Sequence, residues 1–334
     1  MRKSLFVGLL GALCSLPFAL HAASTGYHIL NEIKIGGEGG WDYLTVDSPG
    51  HRLFVSHATH VVVVDTEKNT VVGDIPDTPG VHGIALAPEL NKGFISNGRG
   101  NNVTVFDLKT LKASGTVATE MNPDDITYDA TTSRVLAFNG RSRSVTIIDA
   151  KTDKAVATVM LPGKPEFAVS DGKGKVYDNI EDTSEIVEID VAKAAVTKKY
   201  ALTGCDGPSG MAMDRKARRI FSVCGNRVMA VSDPDKGVVV ATPAIGAGSD
   251  GVIFDPGTGY AISANGDGTM TVVQQTGGKY DVTDNIATER GARTIALDEK
   301  THRVYTPTAT QGQAAAGGRA PYLPDSFKVL VVGK

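Results

Sequence analysis

The chain has 334 residues, 41% hydrophobic and 21% charged, with 34 Lys and Arg against 37 Asp and Glu. That length is enough for one large repeat domain with a continuous core. A net charge of −3 gives no bulk electrostatic drive toward nucleic acid or an anionic membrane, so neither is expected as a partner.

The chain opens with Arg2 and Lys3, an apolar run Leu5–Leu20, and small residues at Ala22 and Ala23. A positive start, a short apolar core and a small-residue exit describe a secretory signal peptide over residues 1–23 rather than a membrane span. Leu13 before Cys14 is too large for the usual lipoprotein cleavage site. Without Arg2 and Lys3 the balance becomes 32 against 37, and no second apolar stretch is long enough to cross a bilayer. Residues 24–334 are therefore expected to be periplasmic or secreted, and monomeric.

Asp124–Val159 shows the pattern on which the rest of the chain is built. It reads as strands Ile126–Tyr128, Arg134–Phe138, Val145–Ile148 and Ala155–Val159, joined by Asp-led turns and an Asn-Gly-Arg break. Such short strands between turn clusters predict an antiparallel meander. The end of the third strand recurs at Asp65, Asp107, Asp149, Asp190, Ser232 and Gln274, in steps of 42, 42, 41, 42 and 42 residues. A last copy ends at Val332, 58 residues on, and the Gly/Ala/Pro-rich insertion Ala309–Ser326 holds the excess. A period near 42 with four strands per unit predicts an all-β, seven-bladed β-propeller of four-stranded antiparallel blades. The last unit ends after its third strand, and Tyr27–Ile35 is an orphan strand at the other end of the domain. The N-terminal strand is expected to close the last blade and so remove two exposed edges.

Second strands end in FVSH, FISN, LAFN, VYDN, FSVC, ISAN and VYTP, each followed by a third strand of V-T-V-I-D type. This resembles the YVTN-type propeller repeats, and residues 24–334 are similar to exported YncE-like proteins. The resemblance covers all seven units and implies a propeller that serves as a binding module, surface protein or enzyme. Cys224 and Pro307 depart from the pattern. The Gly-His and Trp-Asp signatures of WD40 repeats do not recur, and Trp41 is the single tryptophan, unlike the Trp-rich blades of quinoprotein dehydrogenases. No haem-attachment, zincin, nucleophile-elbow or Walker motif occurs.

Asp47, Asp129, Asp214, Asp255 and Asp298 follow first strands, and Asp65, Asp107, Asp149 and Asp190 follow third strands. Asp at these places bonds its own turn backbone, so both sets read as structural. Five residues before the first-strand Asp positions lie Asp42, His82, Asp124, Glu166, Ser209, Asp250 and Arg293. The innermost strand of each blade lines the channel, so these residues are expected to crowd one mouth. The second-strand ends His57, Asn97, Asn139, Asn179 and Asn265 are expected on the same face, and the insertion 309–326 also emerges there as a lid.

Two functions compete on these residues. One is a binding or scaffold protein that holds a small ligand or partner at the mouth. The alternative is a Ca²⁺-dependent hydrolase of lactonase or esterase type, in which Asp124, Glu166 and Asp250 with Asn oxygens bind the ion and His82 acts as base. No cofactor is otherwise specified. His57, His60 and His82 form a third, transition-metal option. Cys205 and Cys224 fall at one end of blade five and are expected to pair in an oxidising compartment.

Overall fold

The computed structural model describes residues 24–313 and 320–334. The expected signal peptide and the tip of the insertion lie outside the described residues. Twenty-eight strands form seven four-stranded antiparallel sheets in a ring, and the only helical element among the described residues is a 3₁₀ turn at Pro88–Leu90. Blades 1 to 6 are each built from four consecutive strands. Their innermost strands are Leu44–Asp47, Val81–Ala87, Pro123–Asp129, Pro165–Ser170, Pro208–Asp214 and Ser249–Asp255. Blade 7 takes Ala296–Asp298, Arg303–Thr308 and Lys328–Gly333 from the C-terminal end of the chain. His28–Lys34 from the N-terminal end completes it, pairing antiparallel with Lys328–Gly333.

The middle strands explain the pattern of the sequence. Their runs of Val, Ile and Phe are buried on both faces, because each sheet is covered by a neighbour on either side. Phe54, Ile95, Phe138, Val187, Val231 and Val331 are all essentially inaccessible. The core is accordingly a series of clusters in the seams between blades. One joins Phe54 and Val61 of blade 1 to Ile95 and Phe106 of blade 2. Outer strands are largely exposed, as in Thr70–Ile75, where Ile75 is buried while Val71 and Val72 face out.

All nine turn aspartates accept backbone N–H groups of their own turns. Asp65 takes those of Glu67 and Lys68, and Asp149 those of Lys151 and Thr152. Asp107 and Asp190 accept from Thr110 and Lys193. Asp47, Asp129, Asp214, Asp255 and Asp298 accept from Gly50, Thr132, Lys216, Gly257 and Lys300. Cys205 and Cys224 form a disulfide, 19 residues apart in sequence.

Candidate functional site

Five innermost strands break register at their first residues. The skips fall between Val81 and Ile84, Pro123 and Ile126, Pro165 and Ala168, Pro208 and Met211, and Ser249 and Gly251. His82, Asp124, Glu166, Ser209 and Asp250 are the first residues inside these breaks, and Asp42 and Arg293 enter blades 1 and 7. A bulge re-aims a side chain that regular pleating would send elsewhere. Repeated in five of the seven blades, it gathers one side chain from each about the axis.

The backbone groups freed by the bulges are tied to adjacent strands. Ser56 Oγ accepts the Asp42 N–H at 2.8 Å, and Ser96 Oγ accepts the Gly83 N–H at 2.9 Å while donating to the Asp124 carbonyl. Thr294 Oγ1 donates to the Asp42 carbonyl at 2.6 Å. Tyr43 N–H donates to the His82 carbonyl at 3.3 Å, and Asp250 N–H to that of Arg293 at 3.2 Å. Below the ring, Tyr43 of blade 1 reaches across the axis to Phe167 of blade 4, their ring centroids 5.1 Å apart. Gly83, Gly210 and Gly251 let the inner strands approach: a Cβ on Gly210 would sit 2.6 Å from the Asp250 carbonyl oxygen.

Within the ring, His82 Nδ1 lies 2.6 Å from Asp42 Oδ2 and 3.2 Å from Asp124 Oδ1. Arg293 Nε donates to Asp250 at 2.8 Å, and Lys164 bridges Glu166 and Glu181. Burial raises Asp124, Glu166 and Asp250 above the usual carboxylate range, against the pull of His82, Lys164 and Arg293 respectively. At His82 burial disfavours the cation, yet the Asp42 hydrogen bond and the surrounding carboxylates prevail and push it up to about 9. The Tyr43 hydroxyl is raised by burial first, then by Asp42, Asp124, Asp250 and Glu166 together. Only a position on the axis brings carboxylates from four blades to bear on one phenol.

The second-strand ends lie at the mouth end as expected, Asn97 opposite Val81, Asn139 opposite Pro123 and Asn265 opposite Ser249, but their side chains do not join the ring. Asn97, Asn139, Asn179 and Asn265 are fully buried. Asn97 Nδ2 donates to Asn102 and Thr104, Asn139 Nδ2 to Ser144 and Thr146, and Asn265 Nδ2 to Thr269 and Thr271. The Asn and the following Thr of the repeat thus form a cross-strand tie inside each of these blades. Asn179 instead crosses to blade 5, donating to the Ser209 carbonyl at 2.7 Å. His57 is also buried, stacked on Phe327 with centroids 4.4 Å apart, and burial lowers it to about 4. It contacts His60 but not His82, so the three-His set does not assemble: among the described residues, the one group of three potential ligands is Asp42, His82 and Asp124.

Lys164, Tyr43 and Asp125 belong to the site, although the repeat pattern does not single them out. Lys164 sits two residues before Glu166, and the Lys-Pro-Glu spacing is the one signal of it in the sequence. The described arms of the insertion run antiparallel, Gln311 bridging Tyr322, and Tyr322 packs on Trp41, the neighbour of Asp42, at 4.5 Å. The channel's opposite end opens into a cavity of about 1100 Å³ lined by Thr45, Asp47, Tyr128, Ser170, Arg215 and Lys300. There Asp47 is already engaged by Gly50 and Arg52.

The fold and site define a seven-bladed propeller with a charged, bulge-built mouth at one end of its channel. Among solved structures, the chain is similar to the hydrazine synthase of Kuenenia stuttgartiensis, with a TM-score of 0.70 and 14% identity over 80% of this chain and 92% of that one. It is also similar to U3-55K, with a TM-score of 0.76 and 10% identity over 90% of this chain and 97% of that one. Identities this low show a shared fold alone. No protein-family model and no curated protein matches the chain. Among the described residues, no helix is long and apolar enough to cross a membrane.

Proposed function

We propose that the protein is an exported, YncE-like propeller that holds a positively charged group, of a small ligand or of a partner's side chain, at the acidic mouth. One observation carries this reading. The inner strands bring Asp42, Asp124, Glu166 and Asp250 to one end of the channel, and burial raises three of these acids. A bound cation would relieve that desolvation, whereas an anion would deepen it. Export is supported by the leader-like sequence of residues 1–23 and by the Cys205–Cys224 disulfide. The Ca²⁺-hydrolase reading fits less well. Two of its three acids are already held, Glu166 by Lys164 and Asp250 by Arg293.

A thermal-shift screen of amines, basic peptides and neutral sugars tests the reading. Binding of amines or basic peptides, abolished by Asp124→Asn with Glu166→Gln, is the expected result. Ligands that survive the double substitution would move the site elsewhere.

A further inference from the structure

We propose that Asp42, His82 and Asp124 form a mononuclear site for a divalent transition metal of the Zn²⁺ class, with its remaining coordination positions open to the mouth. The proposal rests on the reading of the mouth as a cation site and gives that cation a chemical identity. Three features support it.

The donor set comes first. One imidazole nitrogen and two carboxylate oxygens lie within 4.8 Å of one another. Mixed nitrogen and oxygen donors suit Zn²⁺ and its neighbours, whereas Ca²⁺ takes an all-oxygen shell. Donors on a tetrahedral zinc are about 3.4 Å apart at bond lengths near 2.1 Å. His82 Nδ1 is 2.6 and 3.2 Å from its two carboxylates, so small side-chain rotations seat the ion.

The second feature is the charge of the ring. Its other acids, Glu166 and Asp250, have Lys164 and Arg293 as permanent cationic partners. Asp42 and Asp124 have only the imidazole between them. A divalent metal replacing the proton on His82 Nδ1 would balance both carboxylates, where the imidazolium balances one.

The third is rigidity. The three donors come from the same position in three consecutive blades, His82 and Asp124 on inner strands and Asp42 two residues before one. Their backbones are pinned from outside the cluster: Ser56 holds the Asp42 N–H, Thr294 the Asp42 carbonyl, and Ser96 the Asp124 carbonyl. Tyr43 holds the His82 carbonyl. Gly98 leaves room for the imidazole, since a Cβ there would stand 2.6 Å from His82 Nε2. These contacts fix the backbone from which each donor projects. Three protein donors with open positions would leave room for water or a ligand's donor atom.

The test is zinc chloride titrated calorimetrically into the chelator-stripped protein, with metal content measured after dialysis. One zinc per chain is expected, with affinity reduced at least about 100-fold in His82→Gln and in Asp42→Asn. His60→Ala should bind as the parent does. Absence of stoichiometric zinc, or unchanged affinity in His82→Gln, overturns the proposal. Should His82→Gln fail to fold by circular dichroism, Asp42→Asn and Asp124→Asn decide by the same criterion. An amine or basic peptide that binds at the mouth while zinc does not would defeat the metal site alone. If neither binds there, both readings fall.

Discussion

The carboxylate of Asp125 in blade 3 accepts the backbone N–H of Ala168 in blade 4 at 3.0 Å. The bulge after Pro165 frees that N–H, so a buried acid closes the seam beneath the mouth. Burial, reinforced by Asp124, raises Asp125 to about 8 against the opposing hydrogen bond from Ala168. Its folded pKa is therefore above its unfolded value. Between roughly pH 4 and 8 the folded state binds the extra proton, and stability falls as pH rises through that window. Asp125→Asn should reduce this slope, by at most about 1.4 kcal/mol per pH unit, and should leave the protein more stable than the parent at pH 8. Urea unfolding at intervals from pH 4 to 8 measures it, and parallel profiles for the two proteins would contradict the assignment.

His82 should extend the same trend to higher pH. Its folded value near 9 lies above the ordinary 6.5, so its contribution is complete below about pH 6.5 and lost as pH rises through 9. In the metal-free protein, His82→Gln should flatten the alkaline part of the stability profile while leaving the slope below about pH 6 unchanged. Chemical denaturation from pH 6 to 10 reads this directly.

Ring closure depends on a strand almost 300 residues from its partner in sequence. Ile33 is buried in the seam between blades 7 and 1, and Tyr27 donates its hydroxyl to the His302 carbonyl. Removing Tyr27–Ile35 exposes the edge Lys328–Gly333 and forfeits about 2 kcal/mol from Ile33 alone, besides the whole ladder. A large fall in melting temperature is expected by calorimetry, with aggregation through the open edge. Melting within a degree or two of the parent would show that the strand is dispensable.

Turn and mouth carboxylates should separate cleanly in their effects. Asp129 is fully buried and accepts from the Thr132 N–H and hydroxyl, and from Ser170 across the seam to blade 4. Asp129→Ala should cost about 2 kcal/mol while sparing ligand binding. Asp124→Asn with Glu166→Gln should do the reverse, with stability unchanged or slightly raised, since burial already opposes those charges. Denaturation midpoints and ligand titrations on the same preparations compare the two.

The disulfide closes a short loop in blade 5, and the chain-entropy model assigns such a loop about 3 kcal/mol. Replacing both Cys205 and Cys224 with Ala should lower stability by roughly that amount. Thiol titration of the unreduced, denatured parent, residues 24–334, should find neither of these cysteines free.

The architecture was legible in the order of the amino acids, because each blade is one local meander that needs the same turns and the same double-sided burial. Those demands repeat every 42 residues or so, from Asp65 to Gln274, and they name the turn aspartates and the orphan strand at Tyr27–Ile35. The ring of Asp42, His82, Asp124, Glu166, Asp250 and Arg293 was legible as a list of positions for the same reason. What those positions do depends on packing between strands that are distant in the chain. Whether an Asn at the end of a second strand faces the mouth or a Thr in its own blade depends on packing between strands, and Asn97 and Asn139 turn inward. The bulges that re-aim His82 and Asp124, the contact between those two side chains, and the pairing of Asp250 with Arg293 of the next blade all involve strands that are far apart in the chain. Periodicity in one chain records what every blade shares, whereas the site lies in the differences that meet at the axis.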